Sequence, residues 1–493
     1  MSSVLPSVDV SVKTRSLGLQ DAGQGESLAI VGPAPSSNIA AATPLLYGSA
    51  TSLSADHVDG PLVEAGALAL EITGRPVVLV RTETTTAGAR GTIDDDGVTG
   101  TSVITATAST HPDDDYEVRI DVVTGGNVGT AGITYTWSLD GGRTVSPVTA
   151  LGTATTLVVP GTAGGVSYDL ATGTLVKGDF WTERTAAPKW SDAELDAAML
   201  ALQRSGYSWK KVLILGPMTN TNLAALKTRW AAMFAAYKYK RFHCHFRTPN
   251  EGETEASYLA AFKSACDTTQ DFYGCTIWAG SEEVQSCATK PRIYRRSPAW
   301  QGAAYNVRLG PGVSLAEVAD GAGAWQWGAR IADENGNPKH HDEWLDPGLD
   351  AARAATLRSQ PGYPGRVFVT RDRTLATLGT DFMWGFYWDA MIEVLDAAIP
   401  KLIGLIQKKM LPDRTTGRIA AEAANNIELL VKHEVDAKVT GKGVIVSFKC
   451  QIDRTVNVYS TPKLPVTITA VPFFYPDGFS VTAALENPSY SNA

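Results

Sequence analysis

The sequence predicts an α/β (α+β) core built from discontinuous segments, with an inserted antiparallel β-sandwich-like domain and extended terminal strands. Two observations predict the core and insertion: short apolar runs alternate with helical patterns, and a segment rich in Thr, Val and Gly interrupts them. A third concerns the ends, where each terminus has an extended apolar pattern without a neighbouring strand. The 493 residues, 44% hydrophobic and 19% charged, suffice for two or three domains with buried cores.

Residues 1–27 are predicted to form an N-terminal arm and linker. Val8, Val10 and Val12 alternate with polar residues, which is the period-two pattern of a half-buried strand. A lone strand leaves its backbone N–H and C=O groups unpaired. We therefore expect this arm to pair with a sheet edge, either in its own domain or in another copy of the protein.

The body of the protein is assigned to residues 28–90 and 188–365. Its predicted strands are short buried runs, and a capping box at Ser191 and Glu194 opens the first helix of its second part. Strands and helices alternate strictly here, which predicts a layered domain with largely parallel pairing. The strands are predicted at Leu28–Val31, Val77–Val80, Val212–Leu215, Phe242–Phe246 and Cys275–Trp278.

Residues 91–187 are predicted to be an acidic β-domain inserted into this body. Between Thr82 and Ala187 there are thirteen acidic and five basic residues, so this stretch carries the whole formal net charge of −8. The remainder is neutral, which argues against a nucleic-acid-binding body. Two acidic triplets, Asp94–Asp96 and Asp113–Asp115, lack the spacing of a calcium loop and are interpreted as solvated turns.

Residues 366–475 are predicted to form a C-terminal domain. After a strand at Arg366–Val369, the run Asp381–Met410 is strongly helical and aromatic, with Pro400 as a kink or break. A last helix follows at about residues 418–438. Strands are predicted at Val444–Ile452 and Val466–Val471, and the aromatic residues of the long helix are assigned to the core or to a subunit contact.

Residues 476–493 are predicted to be a C-terminal arm. The turn signal at residues 476–478 is followed by Phe479, Val481 and Leu485 in a short extended run. Like the N-terminal strand, this segment has no nearby partner in the sequence, and we expect it to seek a sheet edge.

The sequence predicts no enzyme, no catalytic residues, no cofactor and no metal site. Phosphate-binding, dinucleotide, zincin and nucleophile-elbow motifs are absent. The run from His340 to Glu343 is interpreted as a solvated turn rather than a metal site, and His243 and His245 as part of a packed strand. The five cysteines form no CxxC pair and are expected to be reduced core residues. Neither a secretory signal nor a membrane span is predicted.

The order of these elements resembles the tail sheath proteins of contractile phage tails and contractile injection systems. The opening strand followed by Leu28–Pro33, then Leu46–Gly48 and Arg75–Arg81, resembles the arm and first α/β unit of that family. The C-terminal region of the family is similar to Arg371–Leu375, the long helix to Met410 and Val466–Tyr475. The resemblance covers nearly the full chain.

This resemblance implies a mechanical function. Subunits would stack as rings of a helical homo-oligomeric sheath around an inner tail tube, in contact with baseplate and tail terminator proteins, and contraction would drive the tube through the target cell envelope. Exchange of terminal strands would involve Val8, Val10, Val12, Phe479, Val481 and Leu485. The acidic domain would face outward and be dispensable for assembly, while the C-terminal domain would face the tube through Glu428, Lys432, Glu434 and Lys438.

The particle would be a virion tail assembled in the cytoplasm of a host bacterium, without direct nucleic-acid contact or membrane insertion. Two other interpretations stay open from the sequence. One is an α/β hydrolase-like enzyme with a β-sandwich binding module, for which His340 and Asp342 are candidate pocket residues. The other is a different tail or baseplate component of a virion.

Overall fold

A computed structural model describes residues 27–162, 165–250, 253–266, 271–288, 292–325, 341–345, 347–413, 415–460 and 464–476. The chain divides into two compact units, Met1–Ile392 and Glu393–Ala493. The predicted arm residues Val8, Val10 and Val12 lie outside the described residues, as do Phe479, Val481 and Leu485 at the other end.

The first unit opens with an α/β segment that closely follows the sequence prediction. Pro61 occupies the first turn of its longer helix, where the missing N–H needs no partner, and Gly74 ends that helix with φ 61°. The helix is apolar on nearly all sides because it is buried. The elements are β1 (Leu28–Pro33), β2 (Leu45–Tyr47), α1 (Ala50–His57), α2 (Pro61–Thr73) and β3 (Val77–Thr82).

The next segment is β-rich and antiparallel. Its sheets have the orders β4-β13-β6-β8-β9, β10-β11-β5 and β12-β7, and its apolar side chains form a hydrophobic cluster of their own around Ile120, Tyr168 and Trp181. The strands are β4 (Ala89–Arg90), β5 (Ile104–Ala106), β6 (Glu117–Thr124), β7 (Gly126–Asn127), β8 (Thr134–Ser138), β9 (Thr149–Ala150), β10 (Thr156–Val158), β11 (Ser167–Leu170), β12 (Thr174–Leu175) and β13 (Phe180–Ala186).

The main sheet is completed by strands that follow this segment. They are accompanied by helices in strict alternation: α3 (Asp192–Arg204), β14 (Lys211–Pro217), α4 (Asn220–Ala235), β15 (Arg241–His245), α5 (Glu255–Cys266) and β16 (Cys275–Trp278). The strand order is β16-β15-β14-β1-β3-β2, and every pair is parallel except the edge pair β2–β3. The predicted parallel α/β core is thus confirmed. Its capping box is present, since Ser191 N donates to Glu194 Oε2 at 2.6 Å.

The first unit continues with β17 (Glu282–Gln285), β18 (Ile293–Arg296), α6 (Ala299–Leu309), β19 (Leu357–Ser359) and β20 (Val367–Val369). The helix α7 (Gly385–Ile403) follows, shorter than the predicted helical run and with Pro400 in its last turn. The boundary between the two units falls inside α7. Phe386 and Trp388 are buried, and Trp388 packs with Trp230 and Tyr273, which confirms the core role expected for these aromatic residues.

Besides the end of α7, the second unit contains a helix and a two-stranded antiparallel sheet. These are α8 (Ala421–Lys438), β21 (Ile445–Ile452) and β22 (Val466–Pro472), close to the predicted bounds. α8 packs on β21. The buried side chains of both elements are apolar and form the core of this unit: Ala424, Ile427, Val431, Val435, Ile445, Phe448, Cys450 and Ile452.

Candidate subunit-contact site

The sheet of the second unit has an open edge along β22. Asp453 N donates to Pro465 O at 3.0 Å, and the pairing then continues as Ile452 with Val466 and Cys450 with Ile468. In an antiparallel ladder, hydrogen-bonded and non-hydrogen-bonded pairs alternate, so the backbone groups of Val466, Ile468 and Ala470 point away from β21. Within the described residues no third strand pairs with β22. The edge therefore offers unpaired backbone donors and acceptors to a further strand.

The burial of the β22 side chains alternates along the strand, as expected for an edge strand that is covered on one face. Val466, Ile468 and Ala470 are half-buried, and the alternate Thr467, Thr469 and Val471 are exposed. A strand with alternating apolar and polar residues added at this edge would continue that pattern on both faces.

The opposite edge is partly capped by a predicted site residue. Ile452 N donates to Glu428 Oε1 at 2.9 Å, and Arg454 Nη2 donates to Glu428 Oε2 at 2.9 Å. Glu428 thus satisfies an outward-pointing N–H at the end of β21. β22 therefore has the less obstructed of the two edges.

The other predicted charged residues of α8 also form ion pairs inside the second unit. Glu434 contacts Lys438 at 2.8 Å and Lys401 at 2.9 Å, and hydrogen bonds from these two lysines lower the pKa of Glu434 to about 2. Lys432 pairs with Asp436 one turn further on. The i,i+4 spacing of these charges was visible in the sequence and signals such pairs.

The solvent face of α8 carries apolar side chains that sequence reasoning did not single out. Leu429 is 63% exposed and Leu430 is 46% exposed, on the side away from the buried stripe of the helix. They belong to a larger set of exposed large apolar residues in the second unit: Ile403, Ile406, Met410, Leu411, Leu429, Leu430, Val446, Tyr459, Val471, Phe473 and Phe474. Exposed apolar side chains at this density are typical of an interaction surface.

The second acidic triplet of the β-rich segment is not a solvated turn, so that prediction was wrong for Asp113 and Asp114. Both are buried, and Asp114 accepts hydrogen bonds from Arg296 at 2.7 and 2.8 Å and from Arg292 at 3.2 Å. Burial raises the pKa of Asp114 to about 7, against the effect of the two arginines. The first triplet, Asp94–Asp96, is exposed as predicted.

Asp114 is part of a charged seam, formed by Asp114, Glu117, Arg292, Arg295 and Arg296, that joins the β-rich segment to β18. Glu117 on β6 lies 3.1 Å from Arg295. The seam could not be recognised from the sequence because its acidic and basic members are far apart in the chain.

Two of the histidines for which a metal site was considered and not predicted, His341 and His243, have structural roles. The solvated turn predicted for His340 to Glu343 is wrong for His341, Asp342 and Glu343, which are all buried. His341 lies between Glu255 and Glu343, with Nε2 2.8 Å from Glu343. Burial alone would lower its pKa, but hydrogen bonds to the two carboxylates raise the pKa of His341 to about 9. His340 lies outside the described residues.

His243 is buried on β15 as predicted. Its Nδ1 accepts from the Trp278 indole at 3.2 Å, so Nε2 donates to Asn306 Oδ1 at 3.1 Å. Among the described residues, no group of three or more His, Cys, Asp or Glu is placed to hold a metal ion. None of the helices in the described part of the chain is long and apolar enough to cross a membrane.

Comparisons with known proteins give matches among solved structures only. No protein-family model and no curated protein sequence matches this chain. The solved structures that match include sheath proteins. The sheath tail protein from Desulfitobacterium hafniense is 10% identical, with 95% of this chain and 100% of that chain covered and a TM-score of 0.45.

Two further structures have similar scores. The sheath tail protein from Listeria innocua is 12% identical, with 93% and 97% of the two chains covered and a TM-score of 0.44. The contracted sheath complex of the extracellular contractile injection system PVC is 10% identical, with 99% of each chain covered and a TM-score of 0.49.

Proposed function

We propose that this chain is the structural subunit of a contractile tail sheath. Subunits would polymerise as stacked rings around an inner tail tube and contract to drive the tube through a target cell envelope. The observation that supports this most directly is the open edge of β22 in a unit rich in exposed apolar side chains. Such an edge is a template for a strand from another copy, and strand addition links subunits through backbone hydrogen bonds.

The two ends of the chain are the proposed donors. Val8, Val10 and Val12 alternate with polar residues, so a donated strand of residues 8–12 would place its valines beside the half-buried row of β22. Phe479, Val481 and Leu485 would act in the same way at the other terminus. Each added strand contributes several backbone hydrogen bonds of about 1 kcal/mol net apiece, repeated in every subunit.

The remaining assignments follow the same arrangement. Residues 91–187 would be an inserted β-sandwich-like domain on the outer surface, where their net negative charge favours solubility of a crowded cylinder. Residues 366–475 would form the inner domain. α8 would face the tube, with Glu428, Lys432, Glu434 and Lys438 flanking the contact and Leu429 and Leu430 at its centre, since these two leucines are exposed apolar side chains.

The proposed partners are other copies of the chain, the inner tube protein, and baseplate and tail terminator proteins. The sheath would be part of a virion tail assembled in the cytoplasm of a host bacterium, without a cofactor and without direct nucleic-acid contact. Contraction would be driven by apolar surface that is buried only after the subunits rearrange, at roughly 25 cal/mol per Å².

Negative-stain electron microscopy of the purified protein tests the proposal, because a sheath protein forms hollow, striated cylinders. Removing residues 1–14 or 476–493 should leave a folded subunit that does not polymerise. If both truncated chains still form cylinders, strand exchange is refuted.

A point substitution tests the edge itself. Ala470→Pro removes an N–H that points away from β21, so the β21–β22 pair should persist while strand addition fails. Ala470→Thr retains the N–H and is the matched control. Equal assembly of the two variants, with circular dichroism showing both folded, would contradict the role of the β22 edge.

A further inference from the structure

We infer that Trp344 and Leu345 of one copy insert into a cavity between residues 305 and 325 of a second copy. This inference rests on the proposed function, because it supplies a head-to-tail contact between sheath subunits in addition to strand exchange. Both surfaces belong to the first unit, and Trp344 does not line the cavity of its own chain.

Trp344 and Leu345 form an exposed apolar knob. Trp344 is 51% exposed and Leu345 is 65% exposed, although both are residue types that stabilise a protein by being buried. Tryptophan is also the side chain most often found to dominate the binding energy of protein interfaces.

The knob is held in place by a well-bonded turn. Asp342 Oδ1 accepts from Trp344 N at 2.9 Å and from Ser359 N at 3.0 Å, while Leu345 N donates to Asp342 O at 3.0 Å. Glu343, in the same turn, accepts from Gly348 N at 2.7 Å. A turn whose backbone is ordered before binding loses less conformational entropy when it docks.

The cavity matches an aromatic knob in size and chemistry. Its volume is about 220 Å³, and its apolar walls include Tyr305, Leu315 and Trp325. The rings of Tyr305 and Trp325 stack with centroids 5.7 Å apart and an interplanar angle of 15°. An indole entering beside this pair would gain apolar burial and ring contacts together.

One charged residue beside the knob, Arg358, is opposite in sign to one of the two charged residues at the cavity, Glu317. Exposed Glu317 lies at the cavity, and Arg358 lies over the Trp344 ring at 4.9 Å. Arg308, the other charged residue that lines the cavity, lies 5.8 Å from the centre of the Tyr305 ring. Docking of Trp344 would bring Arg358 of one copy towards Glu317 of the next, which favours one orientation of the contact.

The contact would join two different surfaces of identical chains. Such a heterologous contact does not pair off into a symmetric dimer, and it generates rings or open helical polymers. This is the type of contact that a helical sheath needs along or around its axis.

Two variants test the inference, one on each surface. Trp344→Ala removes the knob, and Ala322→Glu places a charge at the exposed rim of the cavity. Each should raise the protein concentration needed for assembly by about 30-fold or more, as expected for loss of an aromatic hot spot. Tyr237→Ala, which removes an aromatic residue 59% exposed elsewhere in the first unit, should leave assembly unchanged.

Mixing the two variants gives the decisive result. Each variant retains one intact surface, so a 1:1 mixture should yield complexes of two chains by light scattering, at a concentration where each variant alone is a single chain. Assembly of Trp344→Ala at the wild-type concentration, or a mixture containing only single chains, would overturn the inference. Two-chain complexes from a protein whose wild type forms no cylinders would instead refute the sheath proposal and retain the contact.

If Trp344→Ala does not fold, charge reversal tests the contact between Glu317 and Arg358 instead. Glu317→Arg and Arg358→Glu should each weaken assembly, and the double variant should restore it because the pair is complementary again. Absence of any restoration in a folded double variant would count against the contact.

Discussion

The two units of this chain depart in different ways from the usual rule that apolar side chains are buried and charged side chains are exposed. The first unit buries charged groups in pairs: Arg241 is fully buried and lies 2.7 Å from Asp389, which is also buried. The second unit exposes apolar groups such as Leu429 and Phe474, 82% exposed in the latter case. Removing one partner of a buried ion pair leaves an uncompensated buried charge, so the stability of the fold depends on both residues. An exposed apolar side chain contributes little to the free energy of folding, because it stays in water. The buried ion pairs are thus part of the interior that stabilises the first unit, whereas the exposed apolar residues of the second unit lie outside its own apolar core and are open to the contacts proposed above.

The largest effect should come from breaking the charged seam. Asp114→Ala leaves Arg292 and Arg296 buried without their shared carboxylate, and we expect a loss of about 3–5 kcal/mol in the free energy of unfolding of the first unit. Denaturant titration with hydrogen exchange across the two units measures it. Asp95→Ala, at an exposed acid of the same segment, should change stability by less than about 0.5 kcal/mol. Equal stabilities would show that the seam does not stabilise the fold.

A pH effect should follow from His341. Its folded-state pKa of about 9 lies above the ordinary value of 6.5, so its stabilising contribution is complete below pH 6.5 and is lost as pH rises through 9. The difference corresponds to at most about 3 kcal/mol. Melting temperatures between pH 6 and 10 should fall for the wild type and remain flatter for His341→Gln. Parallel pH profiles would exclude the carboxylate–histidine contact as the cause.

A smaller effect is expected at the capped edge of β21. Glu428→Ala removes the acceptor for Ile452 N and the partner of Arg454, and should destabilise the second unit by about 1–2 kcal/mol. Asn426→Ala, on the solvent face of the same helix, is the control and should be close to neutral. Hydrogen exchange at Ile452 gives a local measurement, and unchanged protection there would disprove the cap.

The smallest effect on folding should come from the exposed leucine. Leu429→Ser should change the unfolding free energy by less than about 0.5 kcal/mol, because the side chain is already in water. Assembly around the tube should nevertheless weaken, measured by cosedimentation of the protein with its tube. Lys442→Ser, at an exposed residue outside α8, should leave cosedimentation intact. A strong loss of stability in Leu429→Ser would remove the contrast between the units.

Patterns within single elements predicted most of the fold. The buried runs at Leu28 and Val212 and the capping box at Ser191 depend on neighbouring residues, so the parallel sheet could be predicted from them. The burial of Asp114 depends on Arg292 and Arg296, which are remote in sequence, and an acidic triplet resembles a solvated turn when those partners are unknown.

The same limitation affected the candidate site. The charges of α8 showed their i,i+4 pairs, but the contact of Glu428 with Ile452 N requires knowing that β21 packs on this helix. The exposure of Leu429 likewise depends on which helix face is covered. Sequence reasoning located the helix and the sheet but not the edge that remains open.

The charged seam also bears on how such chains diversify. We expected residues 91–187 to be removable without effect on assembly, yet Asp114 and Glu117 inside this segment pair with Arg292, Arg295 and Arg296 outside it. A recombination event that replaced only this segment would leave Arg292, Arg295 and Arg296 without their acidic partners. Successful exchange between relatives should therefore transfer β18 together with the segment, so that the two stretches are inherited as one cassette despite their separation in the gene.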